Sequence, residues 1–429
     1  MQSDFPAPGH LPLAGRAAGR RRPRRRYDLD LAALEKAMRR RAEAQAGVTR
    51  SRTEANRVSR TRGRSGPPSE EEKEAARALR ADVQQAEAEA RAAEAGLAEL
   101  LLGIPNVPLD RVPDGDTDKE AVEIRRWGPV RERGDAPHHA DIGESLGILD
   151  NPAAARLSGA RFSVGRGAGA RLERALTDFF LDLHTREHGY TEYSVPFLVN
   201  RETMTGTGQL PKFEDDLFRT QVGDRELFLI PTAEVPLTNL VAQQLLDATD
   251  LPYAFTARTP CFRAEAGAYG RDTRGILRLH QFEKVELVRV CAPEDAPAQL
   301  ELMVGHAEEC LRRLGLSHRV VLLPAGDLGF SARMTYDIEV WLPGSGAYRE
   351  ISSVSDCGTF QARRAGIRHR RSDGRKGPAA TLNGSALPVG RTVAALLEQG
   401  VQEDGSVLLP EALAPYTGFR RILPGGTTA

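Results

Sequence analysis

The sequence predicts an α+β protein: an N-terminal antiparallel two-helix coiled-coil arm, then a larger domain in which an antiparallel β-sheet is flanked by helices. Three observations predict it. Apolar residues between 76 and 100 recur in alternating steps of three and four, the seam of a coiled coil. A Gly/Pro-rich turn at 63–68 separates that segment from an earlier Pro-free one, so two helices meet at a short connection. Beyond Gly103, short β-type runs alternate with amphipathic stretches, and their mixed polarity and hairpin-like spacing suit an antiparallel sheet with helices packed on it.

Residues 1–26 are rich in Pro, Gly and Arg without any period, and a disordered basic extension is expected there. Residues 1–62 hold 16 Lys/Arg against 6 Asp/Glu, with Arg20, Arg21, Arg22, Arg24, Arg25 and Arg26 forming a block. Such a block is the footprint expected for a nucleic-acid backbone. A solvated tail or a transit peptide reads the same way. The first helix is expected from Asp28 or Asp30, as N-cap before Leu31, to about Arg62. The second opens at Ser69, with Glu70, Glu71 and Glu72 in the first turn, where a cap and acidic groups favour the helix start. Its seam is Ala76, Leu79, Val83, Ala86, Ala90, Ala93, Leu97 and Leu100. The first helix is the poorer partner: Leu31, Leu34, Met38 and Val48 fit a seam, but Arg41, Gln45 and Arg52 fall on the same stripe. Each helix is about 50 Å long at 1.5 Å per residue. A hairpin of this kind serves equally well as a dimerisation or spacer element. The division expected is an extension over 1–26, an arm over 27–103 and a larger domain over 104–429.

In that domain strands are expected at 227–230, 285–290 and 336–341, and helices at 169–188, 234–247, 294–314 and 390–399. Neither a G-x-x-x-x-G-K loop nor a G-x-G-x-x-G following a strand is present, so a nucleotide would need another mode of binding. Apolar residues make up 40% and charged residues 28%, the balance of a soluble protein. No apolar run approaches the roughly 18 residues of a membrane span. Cys261, Cys291, Cys310 and Cys357 are scattered with no C-x-x-C pair, which suggests neither zinc nor disulfides and fits a reducing cytoplasm.

Four short constellations carry chemistry. In Cys261-Phe262-Arg263-Ala264-Glu265, an Arg and a Glu two apart on a strand share a face, so that a cation for phosphate lies beside a carboxylate for an amine. A surface ion pair is the commoner meaning of that spacing. Thr232-Ala233-Glu234 offers a hydroxyl and a carboxylate to an amino group, or simply begins a helix. In Arg349-Glu350-Ile351-Ser352-Ser353, Glu350 and Ser352 share one face of a continuous strand, and a carboxylate with a hydroxyl makes a magnesium shell. An exposed strand edge has the same pattern. The stretch from Leu382 through Ser385 to Gly390-Arg391-Thr392 reads as strand, turn, helix. Arg391 can reach the distal phosphates of a nucleotide, or the stretch is an ordinary junction.

Taken together and in this order, these runs resemble the signature motifs of class II aminoacyl-tRNA synthetases, and of seryl-tRNA synthetases in particular. His188-Gly189-Tyr190 to Pro196 matches motif one, Phe262–Glu265 with its loop motif two, and the stretch around Gly390-Arg391 motif three. Family-specific runs add to it, among them Leu157-Ser158-Gly159-Ala160-Arg161-Phe162, Thr205 to Phe213, Pro231 to Pro236 and Phe360-Gln361-Ala362-Arg363-Arg364. The resemblance covers roughly 104–420 closely and the arm by architecture. It implies a class II catalytic domain that activates L-serine with ATP and loads it onto tRNA(Ser) and, where it exists, tRNA(Sec). It implies a serine site at Thr232, Ala233, Glu234, Arg263, Glu286 and Ser385, and an ATP site at Arg263, Ala264, Glu265, Leu279, Glu350, Ile351, Ser352, Ser353 and Arg391. Glu350 and Ser353 would hold Mg²⁺. It also implies a cytoplasmic homodimer with no membrane partner. Departures from the family pattern are Ala386 and Pro388 for Gly and Ala, Val354 and Asp356 for Cys and Asn, and Met334 for Lys. A specialised paralogue supplying seryl-tRNA to a biosynthetic pathway, or resisting a serine-mimicking inhibitor, is the alternative, and an inactive RNA-binding homologue a third reading.

Overall fold

The computed structural model describes residues 24–62, 69–130, 136–266, 274–371 and 373–429. The chain divides into two compact units, Tyr27–Pro105 and Met1–Arg26 with Asn106–Ala429.

The smaller unit is a helical hairpin of α1 (Leu31–Arg62) and α2 (Glu70–Leu102). Asp30 starts α1, its Oδ1 accepting from the Ala33 N–H at 2.8 Å. Ser69 starts α2 through a capping box: its Oγ accepts from the Glu72 N–H, and the Glu72 carboxylate accepts from the Ser69 N–H. Such a cap satisfies two of the four N–H groups that lack partners at a helix start. Arg41 pairs with Glu94 and Arg52 with Glu87, so the partners run in opposite directions and the helices are antiparallel.

The first helix has a fuller seam than its apolar residues suggest. Its shielded positions include Leu34, Ala37, Arg41, Ala44, Val48, Ser51, Ala55 and Val58, in steps of three and four, with Ala33, Met38 and Gly47 flanking them. Gln45 and Arg52 lie off it, exposed. Alanine and serine are neutral in a hydrophobicity pattern, yet small side chains are what let two helix axes approach. Leu31 and Leu100, both expected in the seam, are 56% and 42% exposed.

The larger unit is built on an eight-stranded sheet of β1 (Val122–Trp127), β2 (Thr191–Glu192), β3 (Tyr253–Phe262), β4 (Gln281–Cys291), β5 (His318–Leu322), β6 (Met334–Leu342), β7 (Ala347–Gly358) and β8 (Ala380–Pro388). In space the order is β1-β5-β6-β7-β8-β4-β3-β2. Every pair is antiparallel except β2 with β3. Helices α3 (Ala168–Arg186), α4 (Glu234–Asn239), α5 (Ala296–Arg313), α6 (Phe360–Ala365) and α7 (Val389–Gly400) surround it.

Alternation along the central strands does the positioning. On β4, Val285 and Leu287 enter the large core shared with α3, α5 and α7. The intervening Lys284 and Glu286 face the other way, and further along that face Val288 and Val290 join a second core with Leu237 of α4 and Ala362 of α6. On β8, Ala380, Leu382 and Ala386 enter the large core, which turns Thr381, Asn383 and Ser385 to the opposite face. A strand buried on both sides, with its polar residues gathered at one point, places a polar cleft inside an apolar frame.

Three local expectations change. The helix expected over 234–247 stops at Asn239. Leu237, Val241 and Leu246 do share one core, but Gln243 takes a left-handed φ of 61° and Leu245–Leu246 continue as a strand paired with Arg368–His369. No turn separates β8 from α7: the strand ends at Pro388 and the helix begins at Val389. Finally, Arg24 and Arg26, in the expected extension, form ion pairs with Asp114 and Asp116, and the Arg25 guanidinium donates to the Gly329 and Ala332 carbonyls at 3.0 and 3.1 Å. Half of the arginine block is thus engaged with the protein itself. Residues 1–23 lie outside the described residues.

Candidate active site

Two adjoining cavities open on the polar face of β4, β7 and β8. Thr232, Glu234, Glu286, Ser353 and Asn383 line the first. Leu279, Phe282, Ile351, Pro388 and Arg391 line the second. Arg263, Glu265, Arg278, Lys284, Glu350 and Ser385 line both.

In the first cavity, Ser385 stands directly across the ladder from Glu286. Thr232 precedes α4, and its hydroxyl donates to Glu286 Oε2 at 3.0 Å. Lys284, two residues before Glu286 and on the same face, donates from Nζ to Thr232 Oγ1 at 3.0 Å and forms an ion pair with Glu286. Glu234 opens α4 with its own N–H on Thr232 Oγ1 at 3.2 Å. Its Oε1 accepts from Gln361 Nε2 at 2.6 Å and from Asn383 Nδ2 at 2.9 Å. Burial, and then the neighbouring Glu286 charge, push the Glu234 carboxyl up to about 7. Desolvation penalises the ionised form, and a like charge adds to it.

Arg263 and Glu265 both reach the cavities, though not through strand alternation. β3 ends at Phe262, and Glu265 adopts a left-handed φ of 53°. The Arg263 Nε donates to the Pro231 carbonyl at 3.3 Å, and its guanidinium lies 5.3 Å from the Phe282 ring centroid. Glu265 accepts from Arg278 Nε at 2.5 Å.

The Glu350 face is also set by an irregularity. Glu350 pairs with Glu339 and Ser352 with Ile338, so Ile351 is an extra residue in the ladder. This β-bulge shifts the alternation by one. Ser353, not Ser352, therefore shares the cavity with Glu350, which corrects the expectation from a regular strand. Ser352 is buried and its Oγ donates to the Ser385 carbonyl at 2.6 Å, where it braces the strand that carries Ser385. Arg391, in the first turn of α7, donates to the Glu350 and Leu277 carbonyls at 2.7 and 3.2 Å. Of the expected site residues, Ala233, Ala264 and Ser352 line neither cavity. Ala233 packs in the second core, and Ala264 holds the Asp216 carbonyl with its N–H.

Asp337 stands opposite Ser353 in the β6–β7 ladder. Its Oδ1 is shielded from solvent and has no hydrogen-bond partner among the described residues. Burial, and then the neighbouring Glu350 charge, hold the Asp337 carboxyl well above the usual carboxylate range; with Glu350 alongside Ser353, the oxygens gathered here are donors of the kind a hard divalent cation takes.

Among known proteins, a curated relative from Streptomyces avermitilis, serine–tRNA ligase 2, is 88% identical over 424 residues, covering 98% of this chain and 99% of its own. The chain belongs to the serine–tRNA ligase family. It is accordingly an aminoacyl-tRNA ligase, and residues 213–400 match the tRNA synthetase class II core domain (G, H, P, S and T). Two solved structures agree in fold over most of the chain. Seryl-tRNA synthetase from Pyrococcus horikoshii, complexed with ATP, has a TM-score of 0.83 at 35% identity, covering 91% of this chain and 92% of its own. The cytoplasmic serine–tRNA ligase from Naegleria fowleri, in complex with AMP, has a TM-score of 0.82 at 27% identity, covering 94% of each chain.

Within the site, Lys284, Gln361 and Asn383 are cavity or cavity-supporting residues that motif reading passed over. Two of them had a signal. Lys284 and Asn383 each lie two residues before an assigned residue on a strand, which puts them on the same face. Gln361 sits in a family-specific run but bonds Glu234 across 127 positions of sequence, which no local pattern reveals.

Proposed function

We propose that the first cavity holds L-serine and the second ATP, and that the larger unit joins them as seryl-adenylate. One observation carries this reading. Two buried carboxylates and a hydroxyl (Glu234, Glu286, Thr232) meet in one cavity that continues, past Arg263, into another lined by Phe282, Glu350 and Arg391. Buried carboxylates need cationic partners; Lys284 serves Glu286, and the ammonium of a small amino acid supplies a second cation for the pair. Ser385 stands beside Glu286 for the serine hydroxyl. Arg263, between the cavities, faces both the serine carboxylate and the α-phosphate. As a serine carboxylate oxygen attacks the α-phosphorus, the bond to the β-phosphate breaks and pyrophosphate leaves. Arg263 stabilises the charge that builds on the α-phosphoryl oxygens, a contribution made by a cation preorganised on Pro231 and Phe282. Arg391, fixed on two carbonyls, takes the distal phosphates.

Mg²⁺ fits Glu350 and Ser353, and the unused Asp337 oxygen behind Ser353 supports this. When bound, the ion neutralises charge on the departing pyrophosphate. The terminal ribose of tRNA then attacks the seryl carbonyl, and AMP leaves. The hairpin grips tRNA(Ser), and tRNA(Sec) where that exists, by shape and backbone contacts, chiefly through α1, which holds 9 Lys/Arg against 3 Asp/Glu. Exposed Tyr193, Phe197 and Leu198 beside the edge strand β2 support a homodimer contact at the motif-one stretch. Four free, buried cysteines support a cytoplasmic location. No helix among the described residues is long and apolar enough to cross a membrane.

Serine-dependent exchange of pyrophosphate into ATP tests the reading, and its absence from the purified protein would overturn it. Deleting residues 28–102 is expected to spare exchange and abolish tRNA charging. If charging survives, the arm has another role. The departures Ala386 and Pro388 beside Ser385, with the basic stretch before the arm, motivate the specialised paralogue as a second reading. Of the five departures, Met334, Val354 and Ala386 are buried in the large core, Asp356 pairs with Arg333, and only Pro388 lines a cavity. Charging rates and inhibitor sensitivity equal to those of a housekeeping copy would remove this alternative.

A further inference from the structure

Lys284 has no part in the scheme above, yet it occupies the centre of it. Its side chain is 8% exposed and lines both cavities. The hydroxyl it touches has no capacity left. A threonine hydroxyl has one proton to donate and two lone pairs to offer. Thr232 Oγ1 donates to Glu286, and accepts from Lys284 Nζ and from the Glu234 N–H. The Glu234 N–H is backbone at the start of a helix and stays. A ligand ammonium can therefore reach Thr232 only as Lys284 gives way, and the Glu286 Oε2 beside it is held by the same Nζ.

The direction in which it gives way is also constrained. A lysine ammonium is a compact charge on a flexible four-carbon stem, and a buried one needs a partner. In the second cavity Glu265 is engaged by Arg278, and Glu350 is the carboxylate assigned above to Mg²⁺. The polyphosphate of a nucleotide is then the anion available to a displaced Nζ.

We infer that Lys284 is a positioning residue that couples the two substrates: it yields Thr232 and Glu286 to the serine ammonium and transfers its own charge to the phosphates of ATP. This rests on the assignment of serine to the first cavity and ATP to the second. Each substrate then favours the other, because serine releases the cation that the phosphates receive. Coupling between two ligands is reciprocal and usually amounts to 5–150-fold in affinity.

The experiment is calorimetric titration of the full chain with serine, alone and with a saturating non-hydrolysable ATP analogue. In the unmodified protein the analogue is expected to tighten serine about 10-fold, and serine to tighten the analogue by the same factor. In Lys284→Met and Lys284→Gln the factor is expected to fall to about one, since the coupling free energy itself is gone. Serine binding without coupling in the unmodified protein overturns the inference, and so does wild-type coupling in a folded variant. If neither variant folds, the Lys284 Nζ signal of the unmodified protein, followed by nitrogen-15 NMR, decides the matter: no change on adding serine overturns the inference. Failure of serine to bind under any condition overturns the serine assignment instead.

Discussion

Replacing Glu234 with Gln separates the stability of the protein from its activity. The carboxyl is buried, 8% exposed, and raised from 4.5 to about 7. At 1.36 kcal/mol per unit, the ionised form costs the fold about 3 kcal/mol. An acid raised in the folded state binds its proton more tightly there than in the unfolded chain. This site's contribution is therefore full at low pH, declines as pH rises from the unfolded value of about 4.5, and is lost above about 7. Between pH 5 and pH 8 linkage gives a loss of about 2.5 kcal/mol. Glutamine keeps an acceptor oxygen for Gln361 and Asn383 and has no ionisation to lose. Urea unfolding at the two pH values is expected to show Glu234→Gln gaining about 2.5 kcal/mol on the unmodified protein in going from pH 5 to pH 8. The same variant should lose serine-dependent exchange, because the carboxylate held at a cost is the one that meets the ammonium, the usual exchange of stability for function at a site. Equal pH slopes for the two proteins would refute the reasoning.

Other perturbations test other parts of the structure. Arg263→Ala is expected to lower the rate of pyrophosphate exchange by about 10²–10³, the typical loss for one preorganised donor, with the denaturant midpoint unchanged. Gly384→Ala would set a Cβ 3.0 Å from Val354 Cγ2, and overpacking of this kind costs about 1–3 kcal/mol; a second change, Val354→Ala, should restore most of it in chemical denaturation. Ser69→Ala removes the cap of α2 and is expected to cost the arm about 1 kcal/mol, read by hydrogen exchange at the start of that helix, while serine-dependent exchange of pyrophosphate stays at its original rate.

Much of the site was legible because its residues sit on regular strands. The family resemblance supplied Glu286 and Ser385, and alternation along β4 and β8 puts Lys284 and Asn383 on the same faces. The rule fails where the backbone departs from it. Glu265 has a left-handed φ, so its approach to the cavity owes nothing to its spacing from Arg263. The bulge at Ile351 exchanges Ser352 for Ser353. The identity of the residues at 349–353 does not announce the bulge, because it is a property of the pairing of β7 with β6. In the arm, the seam of α1 was hidden for a different reason: alanine and serine carry little hydrophobic signal, and only the facing helix shows that they are buried.

What could be read from the chain without its fold is what one element's own geometry dictates. The caps at Asp30 and Ser69, the heptad of α2 and the two faces of β4 and β8 follow from periods of 3.6 and 2. The chemistry of the cleft follows from contacts between distant segments. Thr232 meets Glu286 across 54 positions, and Glu234 meets Asn383 across 149. Those meetings, the raised pKa of Glu234 and the pairing of Lys284 arise only once the sheet's register and the helices above it have excluded water. Burial and proximity are properties of the packed whole, and no local pattern encodes them.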